Sequence, residues 1–359
     1  MKVRQVEPDI SKLEIKYVND CLNRRWLTEG KFAKLFIEKI KEYTGAKYAV
    51  LAPNGTLAIY MALYTLGIKH GDNIIIPDLT FNASASPLHF LGARPIFCDI
   101  NPDTFQIDIQ EVEKLLKKYD VKAIIPVHLY GQSADMQPLL ELADKKDIII
   151  MEDAAQGLGV RYNGKHVGTM GDAGIISFFA DKHIIWGEGG VILTNNEEIY
   201  AKLLYLRNQG RLKSGTFEHE QLGMNFRVTD MQCAIGYAQM ERIEEIIQRR
   251  KKIYSFYEKY LYDENIKMME ITSKSNHIPL RLPVLVENKN KVMQHLTKNG
   301  IETRSIELPL HRQPCWQHLN YKNFKNANYV YEHGIRLPLH NKLNKDDVEY
   351  VCEKLKEVI

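Results

Sequence analysis

The stretch Ser177–Gly190 reads S-F-F-A-D-K-H-I-I-W-G-E-G-G and lies between two apolar runs, Ala173 to Ile176 and Val191 to Thr194. Each run reads as a buried strand. Lys182 therefore sits in a strand-to-strand connection, five residues after Ser177 at the strand's end. Open α/β sheets place their chemistry in loops that leave the carboxyl ends of strands. A lysine partly desolvated there has a lowered pKa and is a nucleophile able to form a Schiff base with an aldehyde. Gly187, Gly189 and Gly190 let the backbone turn sharply or approach a ligand closely. Taken alone, the loop is better read as a surface connection with an ordinary solvated lysine. The surrounding chain changes that balance.

N-terminal to this stretch, strand and helix patterns alternate. Helices are expected over Ser11 to Asn23 and Gly30 to Tyr43, then a strand over Tyr48 to Leu51. Asn54 caps a helix that starts directly after that strand. Such a helix start presents free N–H groups and a positive dipole end, suited to a phosphate, with Gly55 and Thr56 at its first positions. An N-cap with no ligand fits the segment as well. Strands follow over Asn73–Pro77, Arg94–Asp99, Val121–Val127 and Asp147–Glu152, with helices over Thr80–Leu91, Ile109–Lys118 and Gln137–Lys145 between them. This alternation predicts a mixed, mostly parallel sheet with helices on both faces. No G-x-G-x-x-G follows any of these strands, so dinucleotide binding has no support.

The strand I-I-I-M-E-D ends in Glu152 and Asp153. A carboxylate there is costly unless something cationic meets it. A protonated pyridine nitrogen, an arginine or a metal ion would serve. Gln156 can offer its amide to the same ligand. Phe81 and His128, at neighbouring strand ends, can each give a ring a flat face. For His128, a hydrogen-bonded core histidine is the plainer reading. Thr229 and Gln232 form a capping box for a long helix running to Lys251, and residues Met268 to Ile359 read as a smaller α+β region. There the strand is Ile278 to Val286, with helices over Lys289–Asn299 and Lys345–Lys356. The expected domains are 1–240 and 241–359. Trp26 and Thr28 lie in a loop suited to a ligand edge, and His311 lies in a loop from which it can reach the site.

Composition narrows the class. The 359 residues carry 48 basic and 45 acidic side chains, a net charge of +3, and no basic run that would mark a nucleic-acid surface. Five scattered cysteines without metal-ligand spacing read as reduced thiols, and no metal site is expected. The start lacks a signal-peptide pattern and there is no 18-residue apolar run, so a cytoplasmic protein without membrane contact is expected. A phosphate-suited helix start, a stacking face, an acid for a pyridinium nitrogen and a Schiff-base lysine together describe binding of pyridoxal phosphate.

The motifs N-G-T at 54–56, G-D-N-I-I-I-P-D-L-T-F at 71–81, V-H-L-Y-G at 127–131, E-D-A-A-Q at 152–156, S-F-F-A-D-K from Ser177 and G-M-N-F-R-V-T-D at 223–230 resemble the DegT/DnrJ/StrS family of sugar aminotransferases. The resemblance implies the aspartate aminotransferase-type fold (fold type I of the pyridoxal phosphate enzymes). It implies Lys182 as the Schiff-base lysine, Asp153 as partner of the pyridine nitrogen, Gln156 near the ring hydroxyl and Phe81 stacked on the ring. Gly55, Thr56 and Ser177 would hold the phosphate, and Asn225 would reach it from the neighbouring subunit of a homodimer. Trp26, Thr28, His183 and His311 are the candidates for substrate contact. The implied reaction moves an amino group from L-glutamate to a 4-keto-6-deoxyhexose carried on a nucleotide. A smaller keto acceptor (a phosphorylated triose or a cyclitol) and a non-catalytic regulator are the alternatives. Three stretches depart from the family pattern: Asp181 stands where Asn is usual, H-I-I-W replaces a threonine-rich stretch, and N-H-I-P-L-R-L-P-V replaces an aromatic cluster.

Overall fold

The computed structural model describes residues 2–212, 217–261, 266–321 and 323–359. Its main sheet contains β1 (Tyr48–Ala52), β2 (Asn73–Pro77), β3 (Arg94–Cys98), β4 (Ala123–Ile124) and β5 (Ile149–Asp153). After a small hairpin of β6 (Arg161–Tyr162) and β7 (Lys165–His166), it is completed by β8 (Ala173–Ser177) and β9 (Gly190–Thr194). The order across the sheet is β1-β9-β8-β5-β4-β2-β3. The neighbouring pairs from β8 to β3 are parallel, and β9 runs antiparallel to both β1 and β8. The reversal follows from connection length: the 12 residues between β8 and β9 hold no crossover helix, which a parallel return requires.

The strands are apolar on both faces because helices cover both. Val50, Ala52, Ile74 and Ile76 pack in one core with the helix Gly55–Thr65. Their neighbours Ala49 and Leu51 join a second core with the helices Lys31–Thr44 and Asp230–Glu241, and Ile75 and Ile124 join a third with Ile109–Lys118 and Met136–Lys146. This is the two-residue strand period expressed as two buried faces. A second, antiparallel sheet contains β10 (Lys267–Met268), β11 (Leu282–Leu285), β12 (Arg304–Ser305) and β13 (Gly334–Leu337), in the order β10-β11-β13-β12. Helices Ile243–Tyr260, Lys289–Lys298 and Lys345–Lys356 pack on it.

Several elements differ from the sequence expectation. The helix expected over Thr80–Leu91 is a short 3₁₀ turn, Asn82–Ser84, followed by a helix over Ser86–Leu91. Pro87 must fall in a first turn, so the α-helix starts only there. The helix expected to run to Lys251 breaks at Arg242, whose guanidinium reaches Asp9, Glu14 and Glu245. The strand expected over 278–286 is confined to Leu282–Leu285, because Ile278 and Leu280 donate to the carbonyls of Gly131 and Tyr130 instead. β4 is limited to two residues and its run stops at Pro126. The N-terminal segment, expected with residues 1–240, packs with the C-terminal sheet: Val3 bridges Ile301 and is buried in that core.

Candidate active site

Strand ends β5 and β8, the start of the helix Gly55–Thr65 and the segment after β12 enclose a cavity of about 740 Å³. Lys182, Asp153, Gly55, Thr56, Phe81, Gln156 and Ser177 all line it. Asn54 caps the helix by accepting from Leu57 N at 2.9 Å, and helix geometry leaves the amides of Gly55 and Thr56 without an intrahelical acceptor. A Cβ at Gly55 would stand 3.1 Å from Ser177 Cβ, so glycine is what lets this helix start come so close to β8.

Asp153 ends β5 and is nearly fully buried. Its Oδ2 accepts from Ser84 Oγ at 2.7 Å and its Oδ1 from Ala155 N at 3.0 Å. Two hydrogen bonds orient the carboxylate without a counter-charge, which leaves it fitted to a cationic ring nitrogen. Gln156 Oε1 accepts from Tyr130 N at 2.9 Å, and its Nε2 makes no hydrogen bond to a described residue. Phe81, 65% exposed at the edge of the cavity, presents a ring face that its own chain does not cover. Burial pushes the Lys182 amine below its ordinary value, with Asp181 opposing that shift and Arg281 adding to it. Lys182 Nζ is 3.8 Å from Asp181 Oδ1, and Asp181 Oδ2 is held by Arg281. A desolvated amine of this kind is readily available in its neutral, nucleophilic form.

Glu152 points to the other side of the strand. It accepts from the amides of Gly168, Met170 and Gly171 at 2.7–2.8 Å and pairs with His128 Nε2 at 3.0 Å. Burial raises its pKa, but His128 and the amides outweigh burial and hold it below the ordinary carboxylate value. His128 also accepts from Ala134 N, and is the core histidine that the plainer reading expects.

The substrate-contact candidates are placed elsewhere. His183 is buried, its Nε2 hydrogen-bonded to the Ile278 carbonyl, and it does not line the cavity. His311 pairs through Nδ1 with Asp78 Oδ2 at 2.6 Å and donates its amide to Oδ1, so it anchors the segment that carries Leu308 and Gln313 to the cavity rather than reaching in. Trp26 is half exposed and donates to Glu29 O; Thr28 bridges Thr229; Asn225 bridges Asn208. None of these three lines the cavity of its own chain. The H-I-I-W stretch is packing: Ile184, Ile185 and Trp186 are buried, with Trp186 against Phe36 and Phe178.

Sequence reasoning passed over Ser84, Phe179, Glu188, Arg281, Glu307 and Arg336, all of which line the cavity. Arg281 and Glu307 lie in stretches already conspicuous, N-H-I-P-L-R and R-S-I-E-L-P. Nothing local marks Ser84 or Arg336. Among the described residues no cluster of His, Cys, Asp and Glu could hold a metal ion.

The amides at the helix start, the buried amine and the two-handed aspartate fit the phosphate, aldehyde and ring nitrogen of pyridoxal phosphate together, and the class is a pyridoxal phosphate-dependent enzyme. Comparison with known proteins narrows it. Residues 8–356 match the DegT/DnrJ/EryC1/StrS aminotransferase family, and the chain belongs to that family. It is 35% identical to the GDP-perosamine synthase of Caulobacter vibrioides, over 100% of this chain and 98% of that protein. It is 34% identical to the GDP-perosamine synthase of Escherichia coli O157:H7, over 98% and 97%. The solved structure of Spr1654 from Streptococcus pneumoniae in its PLP form matches with a TM-score of 0.93 at 29% identity, over 98% of this chain and 97% of that one. The protein is a sugar aminotransferase that uses pyridoxal phosphate.

Proposed function

We propose that the protein transfers the amino group of L-glutamate to a nucleotide-linked 4-keto-6-deoxyhexose, giving a 4-amino-4,6-dideoxy sugar. The observation that carries this reading is the convergence of Lys182 and Asp153 in one cavity large enough for a sugar ring beside the cofactor. The GDP-perosamine synthases, alike over nearly their whole length, support the acceptor class.

The cofactor, when bound, supplies an aldehyde for amine exchange and a ring that accepts electrons. The chain's residues then have separate tasks. The amides of Gly55 and Thr56, with Ser177, bind the phosphate. Asp153 keeps a proton on the ring nitrogen, held for that purpose by Ser84 and the Ala155 amide. Lys182 Nζ, once free, takes a proton from the substrate carbon and returns it, which its desolvated amine suits. Phe81 shields one ring face from water.

A homodimer with shared sites completes this reading. Trp26, Leu27, Phe217, Leu222 and Met224 are exposed apolar side chains in the same two segments as Thr28 and Asn225, and large exposed apolar surface supports a partner. Asn225 would then serve the neighbouring subunit's phosphate. A smaller keto acceptor is the second reading, favoured by the charged side chains Arg281, Glu307 and Arg336 on the cavity wall.

The test is an absorbance spectrum of the purified protein before and after L-glutamate, followed by addition of the nucleotide-linked keto sugar. The expected course is a cofactor band that L-glutamate converts to the amine form and the keto sugar restores. A band that the keto sugar leaves converted while a small phosphorylated ketone restores it would select the second reading. A protein that takes up no pyridoxal phosphate would overturn both.

A further inference from the structure

We propose that a second, small pocket beside Lys182 holds one buried water molecule, and that Arg250 is a positioning residue which, through this water and the Lys182 carbonyl, fixes the nitrogen that carries the cofactor. This rests on the reading of Lys182 as the cofactor-binding lysine. The pocket is separate from the active-site cavity, and Asp181 and Lys182 line both. Its volume is about 10 Å³, close to the least that admits a single water. One wall is the segment from Val6 to Asp9. That segment is fastened to the residues around Asn341: Leu339 N donates to the Gln5 carbonyl at 3.3 Å, His340 Nε2 meets the Arg4 carbonyl at 3.1 Å, and Lys342 pairs with Glu7 at 3.2 Å.

Three buried polar atoms on the lining residues make no hydrogen bond to a described residue: Arg250 Nε, Asp181 Oδ1 and Asn341 Oδ1. Arg250 and Asn341 are 5% and 4% exposed, so bulk solvent does not serve them. Lys182 Nζ stands 3.8 Å from Asp181 Oδ1, too far for a hydrogen bond. Buried polar atoms left without a partner are rare in native proteins. One donor and two acceptors are what a single water completes. Its oxygen accepts from Arg250 Nε, and its two hydrogens go to Asp181 Oδ1 and Asn341 Oδ1. An anion would meet the Asp181 carboxylate, and a metal cation would meet Arg250 and Lys182. The neutral molecule fits.

Arg250 comes from the helix Ile243–Tyr260, far along the chain from the lysine loop. Its Nη1 donates to the Leu280 carbonyl at 3.2 Å and its Nη2 to the Lys182 carbonyl at 3.4 Å. It forms no ion pair with a carboxylate of a described residue within 4.0 Å. A buried guanidinium of that kind is costly unless each of its edges is met. Two edges are met by carbonyls, and the Nε edge by the water.

The water has a consequence for the lysine. By donating to Asp181 Oδ1 it competes with the lysine nitrogen for that carboxylate, which favours the unprotonated nitrogen. The other charges acting on Lys182 are those of Arg281, Asp153 and Glu307. Arg250, Glu7 and Asp9 stand around the pocket, and burial keeps His183 in its neutral form. A change at Asn341 leaves all of these in place, so a shift at the lysine nitrogen reads the water alone.

The test is a crystal structure of the holoenzyme at a resolution that shows ordered water, with a pH titration of the lysine-bound cofactor band. The expected density is one water within hydrogen-bond distance of Arg250 Nε, Asp181 Oδ1 and Asn341. A dry pocket would overturn the site. Asn341→Leu puts methyl groups where the amide stands and is expected to expel the water, moving the midpoint of the band up by about one pH unit, a tenfold rise in proton affinity. Arg250→Met is expected to move it the same way by at least as much, since a cation leaves with the water. If Asn341→Leu does not fold, Val6→Leu fills the pocket from another wall and is read in the same way. A native or lowered midpoint in the filled pocket would overturn the role of the water, and a native midpoint in Arg250→Met that of the arginine. A native protein without a lysine-bound cofactor band would overturn the reading of Lys182, while the water would still be seen, which separates the two failures.

Discussion

Asp181 and Arg281, 100 residues apart in the chain, form an ion pair in the cavity wall beside Lys182. Each offsets the charge that the other brings to the wall. An aspartate alone would leave an unbalanced anion next to the reactive amine, and an arginine alone would leave a buried cation.

A double-mutant cycle measures that dependence. Breaking a buried pair from one side costs about 3 kcal/mol, so Arg281→Leu is expected to lower unfolding stability by roughly that amount. Arg281→Leu combined with Asp181→Asn is expected to cost clearly less than the sum of the two single changes. Chemical denaturation of the four proteins gives the coupling directly.

Lys182 is expected to react with an amine-selective reagent, in protein stripped of cofactor, at lower pH than the other lysines. Burial drives this, and Asp181 opposes it. Asp181→Asn therefore moves the reactivity of Lys182 to still lower pH. Lys182→Ala abolishes the absorbance band of the lysine-bound cofactor. Peptide mass mapping across a pH series reads the first two outcomes.

Ser84→Ala removes one of the two hydrogen bonds on Asp153. A hydrogen bond to a charged group contributes about 1.5–3 kcal/mol, so cofactor affinity is expected to fall by at least about tenfold with little change in melting temperature. Equilibrium dialysis against pyridoxal phosphate checks it.

His166 is expected to make the fold sensitive to acid. It is fully enclosed, with Nε2 accepting from Gly159 N and Nδ1 facing the Val167 carbonyl, and burial pushes its pKa down to about 4 from 6.5. The unfolded chain binds this proton more readily between those values. Stability from the neutral ring is therefore full above about pH 6.5 and is lost as pH falls towards 4, amounting to about 3 kcal/mol. His166→Gln is expected to flatten this part of a stability–pH curve.

His311→Ala unfastens the segment that brings Leu308 and Gln313 to the cavity. Asp78 is fully buried, and burial raises its carboxyl against the pull of His311. Leaving it half-partnered is expected to cost about 3 kcal/mol and to speed proteolysis between Pro309 and Leu319. Limited proteolysis followed by mass spectrometry detects this.

The alternation of strands and helices, the helix start at Asn54, the acid at the end of β5 and the lysine after β8 are all legible in the amino-acid sequence. Those features are local: an apolar run, a cap residue and a residue at a strand's end can be read without knowing what lies opposite. The core role of His128 was legible in the same way. The antiparallel course of β9, the joining of the first residues to the C-terminal sheet and the hydrogen bonds that hold His183 and His311 depend on long-range contacts. The same holds for the charged wall. Arg281 directly precedes β11, Glu307 follows β12 and Arg336 lies in β13, so the three meet only where the second sheet approaches the site. What makes them part of the site is the closing of that sheet over the ends of β5 and β8. That approach buries charges which must then find each other, and no local pattern records which partner a buried charge will meet.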